Sequence, residues 1–347
     1  MNARERLFAA LERKVPDRVP TYECYVNPKV VTALVGAGDY LDLAETLDVD
    51  GVAPNFTSPD YASGMTWIDR QRRIFRDRWG ALRQINEEGP FVIEHPIRTA
   101  EDLRAYNPPD PRHSGVTELV NEIAARFRGR KAVIYMGRDS WIVPTFLRGM
   151  EGLLMDFIDD PRFARDLMGM TVEYSIEANR QAISAGAEVI VLGDDYAFKT
   201  SSLMSPKHFR EFILPGLTRV VRDIKRQGVY CVKHSDGNIW GLLDMIVETG
   251  VDAVGPLEPG AGMDLAAVKA KYGHRVCVVG NIDIDLLSRG AIAEVEAAVH
   301  EAINKNAPGG GYVLSSANTI TASVNPANYR TMVEACRKYG RYPLVME

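Results

Sequence analysis

The sequence predicts an α/β fold, a (β/α)8 TIM barrel with a β-hairpin-like insertion around residues 65–109. Three observations predict it. Short β-branched runs alternate with amphipathic helical patterns from the middle of the chain onward. The runs are apolar throughout, as strands covered on both faces must be, and strands separated by helices make a parallel sheet. Two earlier runs bring the expected strands to eight, the number that closes such a barrel.

Taken in order, "MNARERLFAALERK" interleaves charged and apolar residues at helical spacing, which suits a surface helix and not a signal-peptide core. The two early strands are expected at 18–25 ("RVPTYECY") and 50–56 ("DGVAPNF"). The stretch 65–109 breaks the alternation: it is polar and apolar by turns, with turn residues between, like a small antiparallel excursion near the barrel mouth. Six further strands follow at 131–137, 188–195, 229–236, 252–259, 275–283 and 311–319.

The helices between them carry start signals. Asp160 with Pro161, Ser205 with Pro206, and Asn325 with Pro326 pair an N-cap side chain with a proline at the first helical position; Gly186 and Gly340 close the first and last. Ile292, Val295, Val299 and Ile303 recur at spacings of three and four and define one buried face. The "PGGGY" run precedes a strand, so it marks a helix exit and not a phosphate cradle. One domain over 1–347 is expected.

Composition excludes several classes. At 46% hydrophobic and 25% charged residues the chain can bury a substantial core. The net charge is -5 and the basic residues are scattered, so no nucleic-acid footprint exists. No apolar run reaches the roughly 18 residues that span a bilayer, and a cytoplasmic location without membrane partners is expected. Cys24, Cys231, Cys277 and Cys336 are far apart, with no CxxC, and are expected as buried reduced thiols.

In a parallel barrel the strand C-termini form one rim, where chemistry is built. Here Asp194 and Asp195, His234 and Asp236, Glu258, Asp283, and Asn318 follow successive apolar runs. Carboxylates about 4 Å apart repel by roughly 1 kcal/mol even in bulk water, so such a ring calls for a cation, a shared proton or a cationic substrate. His234 with Asp236 and Glu258 would suit a divalent metal, zinc first; an ion-paired acid/base without metal, or simple structural pairing, are the alternatives. One of Asp194 and Asp195 is expected to cap the next turn, and alternation favours Asp195 facing the cleft. Arg138 or Arg148 could clamp a substrate carboxylate, although Arg148 could equally stitch two helices. Tyr22, Tyr25 and Tyr196 could shape the pocket. His95, His113, His208, His274 and His300 receive no role.

The segments "LRGMEGLLMDFIDDP", "DDYAFKTSSLMSPKHFREFILP", "HSDGNI", "LEPGAGMD", "GNID" and "GGGYVLSSANTITASVNPANY" resemble the uroporphyrinogen decarboxylase superfamily over nearly the whole chain. The resemblance implies a single barrel and one of two activities, porphyrinogen decarboxylation or corrinoid-dependent methyl transfer. The decarboxylase branch grips its polycarboxylate with an arginine-rich segment near the N-terminus; this chain has "TYECYVNPKVV" there. It is closer to the methyltransferase branch, whose thiol-activating zinc members use a His-x-Cys pair and a later Cys. His234 matches the His, Asp236 stands at the first Cys and Asn318 at the second.

Such an oxygen-rich set suits a harder leaving group than a thiol. The expected activity is demethylation of a small O- or N-methyl substrate, the methyl passing to a cobalamin supplied in trans by a separate corrinoid protein. His234, Asp236 and Asp195 would be catalytic, and Asn318 would join Tyr22, Tyr25, Arg138 and Tyr196 around the substrate. The alternatives are a decarboxylase or lyase with Asp283 as acid and Arg138 as clamp, or a non-catalytic barrel holding a corrinoid or tetrapyrrole. A homodimer is expected.

Overall fold

The computed structural model describes residues 1–54, 64–86, 89–113 and 115–344. The two-residue strand β1 (Gly51–Val52) comes first. Four antiparallel strands follow, β2 (Thr66–Asp69), β3 (Ile74–Arg76), β4 (Leu82–Ile85) and β5 (Pro90–Glu94), so the stretch expected as an excursion is a four-stranded sheet of its own. Then come β6 (Ala132–Gly137), β7 (Val189–Gly193), β8 (Tyr230–His234), β9 (Ala253–Val254), β10 (Cys277–Val279) and β11 (Tyr312–Val313). These six join β1 in a seven-stranded sheet in the order β1-β6-β7-β8-β9-β10-β11, parallel at every pair.

The strand expected at 18–25 is not a ladder. It makes isolated parallel bridges at Thr21–Leu314 and Val26–Ile320, and Asp50 N–H donates to Thr21 O at 2.7 Å. Side chains occupy places a neighbouring backbone would fill: Asp50 Oδ2 accepts Thr21 N–H and Glu23 Oε1 accepts Ser316 N–H. The far end of the strand expected at 50–56 lies outside the described residues. Late strands are shorter than expected because their polar tails leave the ladder as loops.

Strand alternation sorts the core in two. Ala132 and Ile134, Val189 and Val191, Val232, Ala253, Cys277 and Val279, and Val313 share the concave face with Tyr22, Cys24 and Ala53. Helix α1 (Ala3–Leu11) adds Leu7, Ala10 and Leu11 to that cluster and packs on β1, β6 and β11. Gly51 has no room for a side chain there, since a Cβ would lie 2.6 Å from Ile134 Cδ1 and 3.0 Å from Leu7 Cδ2. The alternate residues Val133, Ile190, Leu192, Cys231, Val254 and Val278 pack outward against the helices.

The helix starts agree with the sequence. Asp160 caps Pro161–Ala185, Ser205 accepts from His208 N–H, and Asn325 caps Pro326–Tyr339. In the helix Ile292–Asn306, Val295, Val299 and Ile303 are buried, but Ile292, its first residue, is 54% exposed. All four cysteines are free and buried. Among the described residues no helix is long and apolar enough to cross a membrane.

Candidate active site

The parity that buries Val189 and Val191 carries on past the end of β7 to Asp195, and the parity of Val232 carries on to His234 and Asp236. These three side chains each offer one ligand atom within 4.8 Å of the others. His234 Nε2 is 3.5 Å from Asp195 Oδ1 and 3.4 Å from Asp236 Oδ1. Asp195 is tied to the next loop, its Oδ1 accepting Asp236 N–H at 2.9 Å. Asn318, arriving after β11, donates from Nδ2 to Asp236 Oδ2 at 2.7 Å. Burial raises the proton affinity of Asp236, as do the charges of Asp195 and Glu258, against the opposing pull of His234 and Asn318.

The donor set fits a divalent ion. Two ligands about 2.0–2.1 Å from a tetrahedral centre lie about 3.3 Å apart, close to the His234–carboxylate separations. Asp236 Oδ1 is buried and has no hydrogen-bond partner among the described residues, nor has His234 Nδ1. Gly237 makes the turn behind the triad at φ 77°, where a Cβ would meet Ala197 O at 2.5 Å.

Two expectations move. Glu258 stands outside the three-residue cluster: its Oε2 accepts Gly237 N–H at 3.3 Å and its Oε1 lies 3.9 Å from Lys199 Nζ, so Asp195 takes its place among the possible ligands. Asp283 is committed to the cap of helix Ile284–Arg289, accepting from Asp285 and Leu286 N–H groups at 2.7 and 3.2 Å. Glu258, Asp283 and Asn318 do share a cleft of about 300 Å³ with Lys199, Pro259 and Thr321.

Among the expected pocket residues, Tyr22 is 2% exposed and lies within the concave core beside Cys24, below the mouth. Tyr196 is fully buried on the outward side: its hydroxyl donates to Asp139 Oδ1 at 2.6 Å and Lys233 Nζ sits 4.1 Å from its ring. It holds the loop and does not line the cleft. Tyr25 is half-buried. Arg138 has the inward parity of Ala132 and Ile134 and donates to Gly193 O, which brings it beside the strand that carries Asp195. Arg148 pairs with Asp156 at 2.7 Å, joining helices Ile142–Arg148 and Met150–Asp159 as the stitching alternative has it.

The sequence reading missed the ionic layer behind the site. Lys233, on the outward side of β8, pairs with Asp139 at 2.9 Å, both fully buried. Burial works to raise the Asp139 carboxyl, but the Lys233 charge and the Tyr196 hydroxyl outweigh it and hold it low. Asp194 points outward and does not cap the turn that follows it: its Oδ2 accepts the Trp141 and Ile142 N–H groups, after β6, at 2.8 and 3.0 Å. A lysine inside an otherwise apolar strand was the available signal. Glu23, in the early segment, is 3% exposed, and burial pushes its carboxyl up to about 8 against two hydrogen bonds from Ser316.

The uroporphyrinogen decarboxylase (URO-D) family model matches residues 81–339. A uroporphyrinogen decarboxylase of Thioalkalivibrio sulfidiphilus is 27% identical over 97% of this chain and 98% of its own. A solved methyltransferase from Methanosarcina mazei superposes with a TM-score of 0.78 at 20% identity, covering 98% of this chain and 99% of its own. A B12-independent methionine synthase from a Shewanella species superposes at 0.52 with 12% identity, over 92% and 96%. Both structural likenesses are likenesses of fold.

Proposed function

The chain belongs to the uroporphyrinogen decarboxylase (URO-D) family, and from that premise we propose that it is a corrinoid-linked methyltransferase that demethylates a small O- or N-methyl substrate. The observation that carries this reading is the Asp195–His234–Asp236 cluster, with Asn318 fixed on Asp236. A porphyrinogen bearing many carboxylates would meet like charge here, whereas an ether or amine leaving group suits hard oxygen donors. The methyltransferase among the structural neighbours supports the same choice.

Asp195, His234 and Asp236 would hold the metal, zinc first, which when bound supplies Lewis-acid polarisation of the departing atom. Asn318 orients the Asp236 carboxyl, and Asp195 fixes the backbone of the loop that carries it. Without the metal, Asp236 holds a proton at its carboxyl more readily than a surface aspartate does, and metal binding would displace that proton. Arg138 would anchor an acidic group of the substrate. Cobalamin would be presented over the mouth by a separate protein. The proposal includes closure of the parallel sheet into an eight-fold barrel through the segment bridged at Thr21 and Val26, as one domain.

Decarboxylation is the second reading, favoured by the 27% identical relative of that name and by Arg138 at the mouth. The capping duty of Asp283 counts against that residue as its acid. Elemental analysis of the protein and of His234→Ala tests the ligand assignment, with metal expected in the first and lost from the second. Methyl transfer from methoxyaromatic or methylamine substrates to cob(I)alamin, read by absorbance, tests the reaction; carbon dioxide release without corrinoid would overturn it in favour of the second reading.

A further inference from the structure

A second polar site lies at the opposite ends of the strands from the mouth. Arg6, Arg18, Arg337, Arg341 and Asp48, together with the amino end of α1, line a cavity of about 360 Å³. The arginines converge from three segments: Arg6 lies on α1, Arg18 just ahead of the Thr21 bridge, and Arg337 and Arg341 at and beyond the end of helix Pro326–Tyr339. The hydrogen bond from Val19 N–H to Gly340 O fixes the last two segments together at 2.8 Å.

Their donors are unequally used. Arg6 is occupied, with Nε and Nη2 on Asp17 and Nη1 on Asp50 at 2.6 Å. Arg18 reaches Asp48 and Asp50 only through Nη2, at 3.2 and 3.4 Å, and its Nη1 is buried with no hydrogen-bond partner among the described residues. Nε and Nη2 of Arg337 are in the same state, the nearest carboxylate oxygen, Asp48 Oδ2, being 4.0 Å from Nη2. Asp48 is already divided between Arg18 and Lys131. Around the cavity, then, Arg6, Arg18, Arg337 and Lys131 share the carboxylates of Asp17, Asp48 and Asp50, Arg341 adds a further charge, and positive charge is in excess.

Buried guanidinium N–H groups left without acceptors are unfavourable, and their planar forks match the oxygens of phosphate. We propose that this cavity binds a doubly charged oxyanion, a phosphate or phosphate monoester, held by Arg18, Arg337 and Arg341. The site is independent of the chemistry at the mouth.

The test is titration of the full chain by calorimetry with inorganic phosphate and, separately, with glycerol 3-phosphate, ionic strength being held constant with potassium chloride. Saturable binding is expected, weakened at least ten-fold in Arg337→Ala and in Arg341→Ala. Arg341 is exposed and makes no ion pair among the described residues, so its loss leaves the fold intact. Asp48→Asn removes the competing carboxylate and should tighten binding several-fold. Tighter binding of the monoester points to a phosphorylated metabolite and equal binding to the free anion, both in accord with the proposal. Heats no larger than those of chloride, or arginine variants that bind like the parent, would overturn it.

Discussion

Glu23→Gln isolates a carboxyl that burial displaces strongly. In the unfolded chain a glutamate releases its proton near 4.5, while the buried Glu23 holds its proton up to about 8. Between those values the native state carries a proton that the unfolded state has lost, so stability falls as pH rises through the window. The contribution is fully present below about 4.5 and gone above about 8. At about 1.4 kcal/mol per pH unit the full swing is about 5 kcal/mol. Glutamine keeps the shape, accepting Ser316 N–H through its carbonyl and donating to Ser316 Oγ through its amide, the partners Glu23 has at 2.7 and 2.8 Å. Urea unfolding of both proteins at pH 5, 6, 7, 8 and 9 gives the difference directly, because every other titrating group cancels. The variant should gain on the parent by up to several kcal/mol from pH 5 to 8 and hold a constant lead above that. Parallel profiles, or a parent that gains on the variant with rising pH, would refute the reasoning.

Three further outcomes are expected. Asp139→Ala leaves Lys233 charged, buried and unpaired, at about 3–5 kcal/mol of unfolding free energy; the double variant Asp139→Ala/Lys233→Met should recover much of this in denaturant titrations, and no recovery would contradict the pairing. Gly237→Ala forces a Cβ to within 2.5 Å of Ala197 O at φ 77°, and should lower the melting temperature and metal content together, whereas Gly241→Ala, with 3.9 Å of space, should change neither. Leu7→Ala empties the α1 plug under the concave core and should cost about 2–5 kcal/mol, read by the same denaturant titrations with the metal content unchanged.

Much of the site was legible because strand parity is a short-range property. Alternation along "VIVLGDD" and "YCVKHSD" is enough to send Asp195, His234 and Asp236 to one side, and they do meet. Distance along the chain beyond a strand end is not controlled that way. Glu258 lies four residues past β9 and Asp283 four past β10, where turns decide the direction; one ends on a backbone N–H and the other on a helix cap. Tyr22 differs for another reason: parity was right, but its level along the strands puts it within the concave core, beneath the mouth. Hydropathy marks 18–25 as a strand but does not show that its ladder shrinks to isolated bridges, because the carboxyls of Asp50 and Glu23 take hydrogen bonds that a ladder would give to carbonyls.

The same parity explains why a lysine can sit next to His234 without joining the cluster at the mouth. Lys233 and His234 are neighbours on β8, yet the backbone sends them to opposite faces, so the ammonium meets Asp139 and the Tyr196 ring while the imidazole meets Asp195 and Asp236. Lys233 Nζ also donates to Leu192 O and Asp194 O at 3.2 and 2.8 Å, gripping the end of β7 and the residue before Asp195. Asp194 in turn is locked by the two N–H groups at the start of helix Ile142–Arg148. The outward layer therefore fixes the backbone from which Asp195 projects inward, and Asp195 fixes the backbone of Asp236. Charge placed behind the strand buys rigidity at the mouth while staying on the opposite face from Asp195, His234 and Asp236.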